Sequence, residues 1–213
     1  MTDTRPDAYA MQNGLVHVLA EKMRKQSARN RVRLLETHIS WVLLSGQFAY
    51  KIKKPVNLGF LDFSSLDARH FYCDEEIRLN RRLAAQIYLD VIPIGGIVEN
   101  PVPDAQPAIE YAVRMRRFPV AMQLDKLAAT GKLLPQHIDS LATTIAHFHR
   151  NLPAAGADTP FGTAEAVSRD AAQNFDMLQN LPDKTTDLQR LATLRRASDA
   201  EYAACSELFR QRL

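Results

Sequence analysis

The sequence predicts an α+β fold: an antiparallel sheet of five strands with one packed helix, followed by a helical region. Three short strand-like runs follow one another between residues 32 and 53, and the links between them are too short to hold a helix, so these strands must form an antiparallel meander. After Pro119 the strand-like runs stop, and apolar residues recur only at helical spacing. We therefore expect a sheet-containing part over residues 1–118 and a helical part over residues 119–213.

The first part of the chain is predicted in some detail. Apolar residues at helical spacing indicate an amphipathic helix over residues 9–26. The three strands that follow cover residues 32–36, 39–44 and 48–53. Ser64 or Ser65 can cap a second helix, which runs to about Ala84.

Two more strands complete the predicted sheet, and only helices follow them. The strands cover residues 89–94 and 109–118, and the stretch between them is rich in glycine and proline, which indicates a loop. Short helices are expected over residues 124–130, where Gly131 ends the helix, and over residues 135–150. Two longer helices are expected over residues 164–180 and 186–212.

The amino-acid composition indicates which classes of binding partner the protein is expected to have. A formal net charge of +3 makes nucleic acid an unlikely partner. The two cysteines, Cys73 and Cys205, are far apart in the sequence and favour a reducing, cytoplasmic setting over a disulfide scaffold. No apolar run approaches the roughly 18 residues that a membrane helix needs, so no membrane partner is predicted.

A lysine on the third strand is the first candidate for chemistry. Residues 48–51 (Phe-Ala-Tyr-Lys) resemble the Val-Ala-Ile-Lys signature of kinase-like enzymes, whose lysine holds the phosphates of the nucleotide. Lys51 and Lys53 lie on the same face of this strand, and Lys51 fits the signature better because apolar and small residues precede it directly.

Kinase-like chemistry also needs a glutamate on the following helix. Glu76 interrupts an apolar stripe on that helix, formed with Tyr72, Leu79 and Leu83, and a carboxylate on a buried face needs a partner. Glu75 can instead pair with Arg78 on the surface. We therefore expect Lys51 to face Glu76. The alternatives are that both are surface residues, or that Lys53 and Glu75 form the pair.

Five segments of the sequence carry a resemblance to a known family. They are residues 37–42 (THISWV), 49–56 (AYKIKKPV), 59–64 (GFLDFS), 76–84 (EIRLNRRLA) and 111–119 (YAVRMRRFP). These segments resemble the aminoglycoside-phosphotransferase-like proteins of bacteria, which have a protein-kinase-like fold and are often fused to a C-terminal P-loop ATPase domain. The resemblance covers about residues 10–150.

The resemblance implies the nucleotide-binding portion of an ATP-dependent small-molecule phosphotransferase. Residues 1–118 would form its kinase-like N-lobe, and residues 119–213 an incomplete helical C-lobe. The segment from Met115 to Phe118 would be the hinge that offers backbone groups to adenine. The turn at Thr37 would replace the phosphate-covering loop, although it lacks the Gly-x-Gly-x-x-Gly pattern of protein kinases. The implied cofactor-binding residues are Lys51, Glu76, Thr37, His38, Met115, Arg116 and Arg117.

The family's catalytic loop, a His-Gly-Asp run followed by an Asn, would come after the last predicted helix, and the given chain ends at Leu213. The tripeptide His137-Ile138-Asp139 also has a His two positions before an Asp, but it lies at the start of a predicted helix, so it cannot serve as this catalytic loop. We therefore expect a longer version that continues into such a loop. The chain alone is expected to show no phosphotransferase activity, with Mg²⁺ bound only when the missing part is present.

The partners expected from the resemblance are a nucleotide and an unknown small-molecule acceptor. Self-association is also expected, because apolar positions such as Phe175, Leu178 and Leu208 would be partly exposed in an incomplete lobe. The alternative function is a non-catalytic interaction or regulatory module on the same kinase-like scaffold.

Overall fold

Six antiparallel strands and six α-helices make up the part of the chain that the computed structural model describes, namely residues 6–26, 31–154, 156, 159, 161–179 and 185–211. The strands are β1 (Val32–Glu36), β2 (Ser40–Ser45), β3 (Phe48–Lys53), β4 (Tyr88–Ile97), β5 (Asn100–Pro103) and β6 (Ala108–Arg116). The helices are α1 (Pro6–Gln26), α2 (Leu66–Ala84), α3 (Leu124–Ala129), α4 (Pro135–Arg150), α5 (Ala164–Leu178) and α6 (Thr185–Arg210). The predicted α+β class is thus confirmed.

The sheet has the strand order β1-β2-β3-β6-β4-β5, with every neighbouring pair antiparallel. The prediction of five strands was wrong, because β5 forms within the stretch that was expected to be a loop. Pro101 and Pro103 cannot donate backbone hydrogen bonds, which argued against a strand there. β5 pairs only with β4 at the edge of the sheet, where proline is tolerated because one side of the strand needs no partner.

Helices cover both faces of the sheet, whereas the sequence predicted a single packed helix. On one face, α1 buries Leu15, Val16 and Leu19 against residues that include Trp41 and Ile52. Burying each such aliphatic side chain stabilises the fold by roughly 1.5–3 kcal/mol. α2 packs over β4 and β6. On β3, Ile52 packs with residues of α1, whereas Lys51 and Lys53 on either side of it contact α2. Because successive strand residues point to opposite faces, α2 lies on the face opposite α1.

The start of α2 agrees with the sequence, but its buried side does not. Ser65 caps the helix, with its hydroxyl oxygen accepting a hydrogen bond from the backbone N–H of Ala68 at 3.1 Å. The buried residues of α2 are Arg69 and Cys73, whereas Leu79 and Leu83 are 46% and 52% exposed. The helix is therefore rotated relative to the predicted apolar stripe, and the C-terminal half of that stripe faces outward.

The chain divides into two compact units, of which the first ends at Ile145 and the second begins at Ala146. In the first unit, α3 is followed by Gly131, whose φ of 66° is favourable for glycine at a helix end. In the second unit, α5 and α6 pack against each other, and Arg195 on α6 donates a hydrogen bond to Asp176 on α5 at 2.5 Å. No helix within the described ranges has the length and apolar character needed to cross a membrane.

Candidate functional site

The expected meeting of Lys51 and Glu76 is confirmed, and a second lysine joins it. Lys51 Nζ donates to Glu76 Oε1 at 2.8 Å, and Lys53 Nζ donates to Glu76 Oε2 at 2.7 Å. Strand alternation turns both lysines towards α2, and Glu76 lies on the side of α2 that faces β3. The competing pair of Lys53 with Glu75 is absent, because Glu75 accepts two hydrogen bonds from Arg78 instead.

The three charged groups differ in exposure. The side chains of Lys53 and Glu76 are 6% and 10% exposed, whereas that of Lys51 is 28% exposed. Burial alone would raise the pKa of Glu76, but the hydrogen bonds and positive charges of Lys51 and Lys53 outweigh it and hold the pKa below its usual 4.5. Two ammonium groups therefore share one ionised carboxylate, so the cluster carries a surplus positive charge.

Apolar side chains lie on the same sheet face, next to Lys51. Cross-strand pairing places Lys51 between Val42 on β2 and Val113 on β6. Two residues earlier on β3, Ala49 lies between Leu44 and Met115. Because side chains two residues apart share a face, these rows form an apolar strip that leads away from the charged cluster. A partly exposed lysine beside an apolar strip suits a ligand with an anionic end and a flat apolar end.

The predicted hinge begins at the end of β6, and its backbone groups are largely engaged. The N–H of Arg116 donates to the carbonyl of Ile87 at 2.8 Å, and the N–H of Arg117 donates to that of Gln47 at 2.9 Å. The Arg117 guanidinium also donates to the Gly46 carbonyl at 2.9 Å. An adenine contact by this segment would therefore have to use backbone groups other than these two N–H groups.

The turn at Thr37 and His38 joins β1 to β2 and lies near the cluster. Ser40, which ends the turn, pairs with Lys53 across β2 and β3. The Thr37 N–H donates to the Ser40 carbonyl at 2.8 Å, and the Thr37 hydroxyl oxygen accepts from the Ser40 N–H at 3.0 Å. Both Thr37 and His38 are exposed. The turn is thus closed by its own hydrogen bonds, without the glycines of a phosphate-covering loop.

The third lysine of this segment, Lys54, belongs to the opposite side of the sheet. Its Nζ donates to Glu36 at 2.6 Å and lies 5.1 Å from the ring centroid of Trp41 and 5.7 Å from that of Tyr9. Such cation–π contacts favour an ammonium group over aromatic faces. Lys54 therefore ties β3 to α1 and takes no part in the Glu76 cluster.

A second buried network, which the sequence analysis missed, links both helices to the sheet. Glu110 on β6 is 1% exposed and accepts hydrogen bonds from Arg69 Nε at 3.0 Å on both of its oxygens. Gln12 on α1 donates to Glu110 and, at 2.9 Å, to the carbonyl of Lys53. Arg69 also donates to the carbonyls of Phe63 and Ser64 at 3.0 Å. This network fixes the backbone of β3 and the first turn of α2, the two elements that carry the lysines and Glu76.

Within the described ranges, no group of three or more His, Cys, Asp or Glu side chains is arranged to hold a metal ion. His137 belongs to the His-Ile-Asp tripeptide considered above and lies in the first turn of α4. Its Nδ1 accepts a hydrogen bond from the backbone N–H of Leu134 at 3.2 Å. It therefore acts at a helix start, as expected from the sequence.

Comparison with known proteins identifies relatives whose names state no activity. Uncharacterized proteins of Mycobacterium tuberculosis and Mycobacterium bovis are each 34% identical to this chain over 153 residues. The match covers 70% of this chain but only 28% of each relative. No family model matches the chain, and no solved structure shows significant similarity to it. The roles of the cluster and of the hinge therefore stay predictions.

Proposed function

We propose that this chain is the nucleotide-binding portion of an ATP-dependent small-molecule phosphotransferase with a kinase-like N-lobe. The observation that carries the proposal is the ion pair between Lys51 on the third strand and Glu76 on the helix that follows it. Kinases use a lysine and a glutamate on the corresponding elements to hold the α- and β-phosphates of ATP. Because the cluster carries a surplus positive charge, it can attract the negatively charged phosphates.

The surroundings of the cluster support a nucleotide over a simple anion. Val42 and Met115, which are both partly exposed, supply apolar surface on the sheet face that carries Lys51, and Ala49 is buried between their strands. Lys51 is partly exposed, so its ammonium group can reach a ligand, whereas Lys53 is buried. In this proposal the phosphates contact Lys51 and the base lies along the apolar strip towards the hinge at residues 115–118.

Calorimetric titration with Mg·ATP tests the proposal. We expect saturable binding by the chain and a large loss of affinity in Lys51→Met, because a charge-assisted contact to phosphate is removed while most of the side chain's apolar stem is kept. The matched control is Lys25→Met, since Lys25 is an exposed lysine on α1, on the other side of the sheet. Binding of equal strength in wild type and Lys51→Met would contradict the proposed site.

The alternative, a non-catalytic interaction module, is favoured by one feature of α2. Phe71, Leu79 and Leu83 are 58%, 46% and 52% exposed, so α2 presents three large apolar side chains to solvent. If the titration shows no ATP binding, this helix becomes the surface to test with candidate partner proteins.

A further inference from the structure

The two lysines that share Glu76 have different surroundings. Lys53 is the more buried of the two, and its Nζ lies 2.7 Å from Glu76 Oε2 and 5.0 Å from the ring centroid of Phe63. Lys51 is 28% exposed, and its Nζ lies 2.8 Å from Glu76 Oε1. The two contacts are almost equal in length, so exposure is what distinguishes the lysines.

Building on the proposed function, we propose that Lys53 is a positioning residue: it is the fixed counter-ion that holds Glu76, while Lys51 is the cation that turns to the nucleotide phosphates. A buried ammonium group that lost its carboxylate would be left unpaired at a high cost. Lys51 is partly solvated, so it can exchange Glu76 for a phosphate oxygen at a lower cost. If Lys53 were absent, that exchange would leave the Glu76 carboxylate buried and unpaired.

The backbone of β3 agrees with this division. The carbonyl of Lys53 accepts a hydrogen bond from the buried side chain of Gln12, and Ser40 pairs with Lys53 on the neighbouring strand. Gln12 is in turn bonded to Glu110, which is held by Arg69 on α2. Lys53 therefore lies at a point where the strand is tied to both helices, as a fixed counter-ion requires.

The first test needs no nucleotide. The pKa of the Glu76 carboxyl is measured by carbon-13 NMR in wild type, Lys51→Met and Lys53→Met. We expect the pKa to rise in both variants, and to rise by about 1 unit more in Lys53→Met, because a buried opposite charge is screened less by water. An equal rise, or a larger rise in Lys51→Met, would overturn the assignment.

A second test uses the wild-type protein, in case Lys53→Met does not fold. Surface acetylation with acetic anhydride, followed by peptide mass spectrometry, compares the two lysines in one sample. We expect Lys51 to be acetylated several-fold faster than Lys53. Equal rates would show that Lys53 leaves Glu76 as readily as Lys51 does, which contradicts a fixed counter-ion.

The third test separates positioning from general stability. Mg·ATP affinity is expected to fall in Lys53→Met and to recover in Lys53→Arg, which restores a cation beside Glu76. Undiminished affinity in a folded Lys53→Met would overturn the inference. If wild type itself binds no ATP, the proposed function fails, whereas the order of the Glu76 pKa values still decides which lysine is the fixed counter-ion.

Discussion

Replacing Glu110 with glutamine would remove the charge from the most buried ion pair of the described structure while keeping almost the same shape. Glu110 accepts hydrogen bonds from Arg69 on both oxygens and from the backbone N–H of Tyr111 at 2.9 Å. Arg69 is itself only 8% exposed, so water cannot replace the lost carboxylate. The variant would therefore leave a buried guanidinium without a counter-ion.

We expect the free energy of unfolding to fall by about 3–5 kcal/mol, the usual cost of breaking a buried ion pair by removing one partner. The assay is urea unfolding followed by circular dichroism. With a dependence on urea of about 2–3 kcal/mol per molar, the midpoint would fall by roughly 1–2.5 M. Arg69→Met combined with Glu110→Leu should recover part of this loss, because the double variant leaves no unpaired charge.

The matched control is Glu75→Gln. Glu75 also accepts two hydrogen bonds from one arginine, Arg78, at 2.7 Å each, but this pair lies on the solvent side of α2. Exposed ion pairs contribute little to stability, so the control should unfold near the wild-type midpoint. Equal shifts for Glu110→Gln and Glu75→Gln would refute the reasoning that burial sets the cost.

Three further predictions concern single residues. Because the pKa of Glu76 is lowered in the folded protein, its ionised carboxylate stabilises the fold above pH 4.5, and this stabilisation is lost as the pH falls through the folded pKa. The difference in unfolding free energy between wild type and Glu76→Gln should therefore shrink when urea unfolding is measured at decreasing pH. Burial raises the pKa of the Cys73 thiol to about 12, so Cys73 should react with a thiol reagent at pH 8 far more slowly than Cys205; equal rates would contradict its burial. Ser65→Ala should lower stability by about 1 kcal/mol in thermal unfolding through loss of the α2 cap, whereas Ser64→Ala should not.

The sequence was most informative where local signals agree with tertiary structure. Helix α1, strands β1 to β3 and the Ser65 cap are encoded by spacing and by turn residues within a few positions. For the Lys51–Glu76 pair, strand alternation placed Lys51 on the correct face of β3, and Glu76 was selected because it interrupts the apolar stripe of α2.

The remaining features depend on contacts that are distant in sequence. Pro101 and Pro103 read locally as a loop, and only pairing at a sheet edge makes them a strand. Gln12 and Glu110 are 98 positions apart, and no local pattern indicates that they meet. The apolar stripe through Leu79 was misleading because α2 buries an arginine and a cysteine instead, and the buried Arg69 forms its ion pair with Glu110 on that side.

Affinity labelling tests the central claim, phosphate contact by Lys51, most directly. An ATP analogue with an acyl group on its γ-phosphate transfers that group to a lysine amine close to the phosphates, with release of ATP, and mass spectrometry identifies the labelled residue. We predict labelling at Lys51 that unmodified ATP suppresses, and none above background at Lys25. Labelling that is equal at these two lysines, or that ATP does not suppress, would contradict a nucleotide site at the Glu76 cluster.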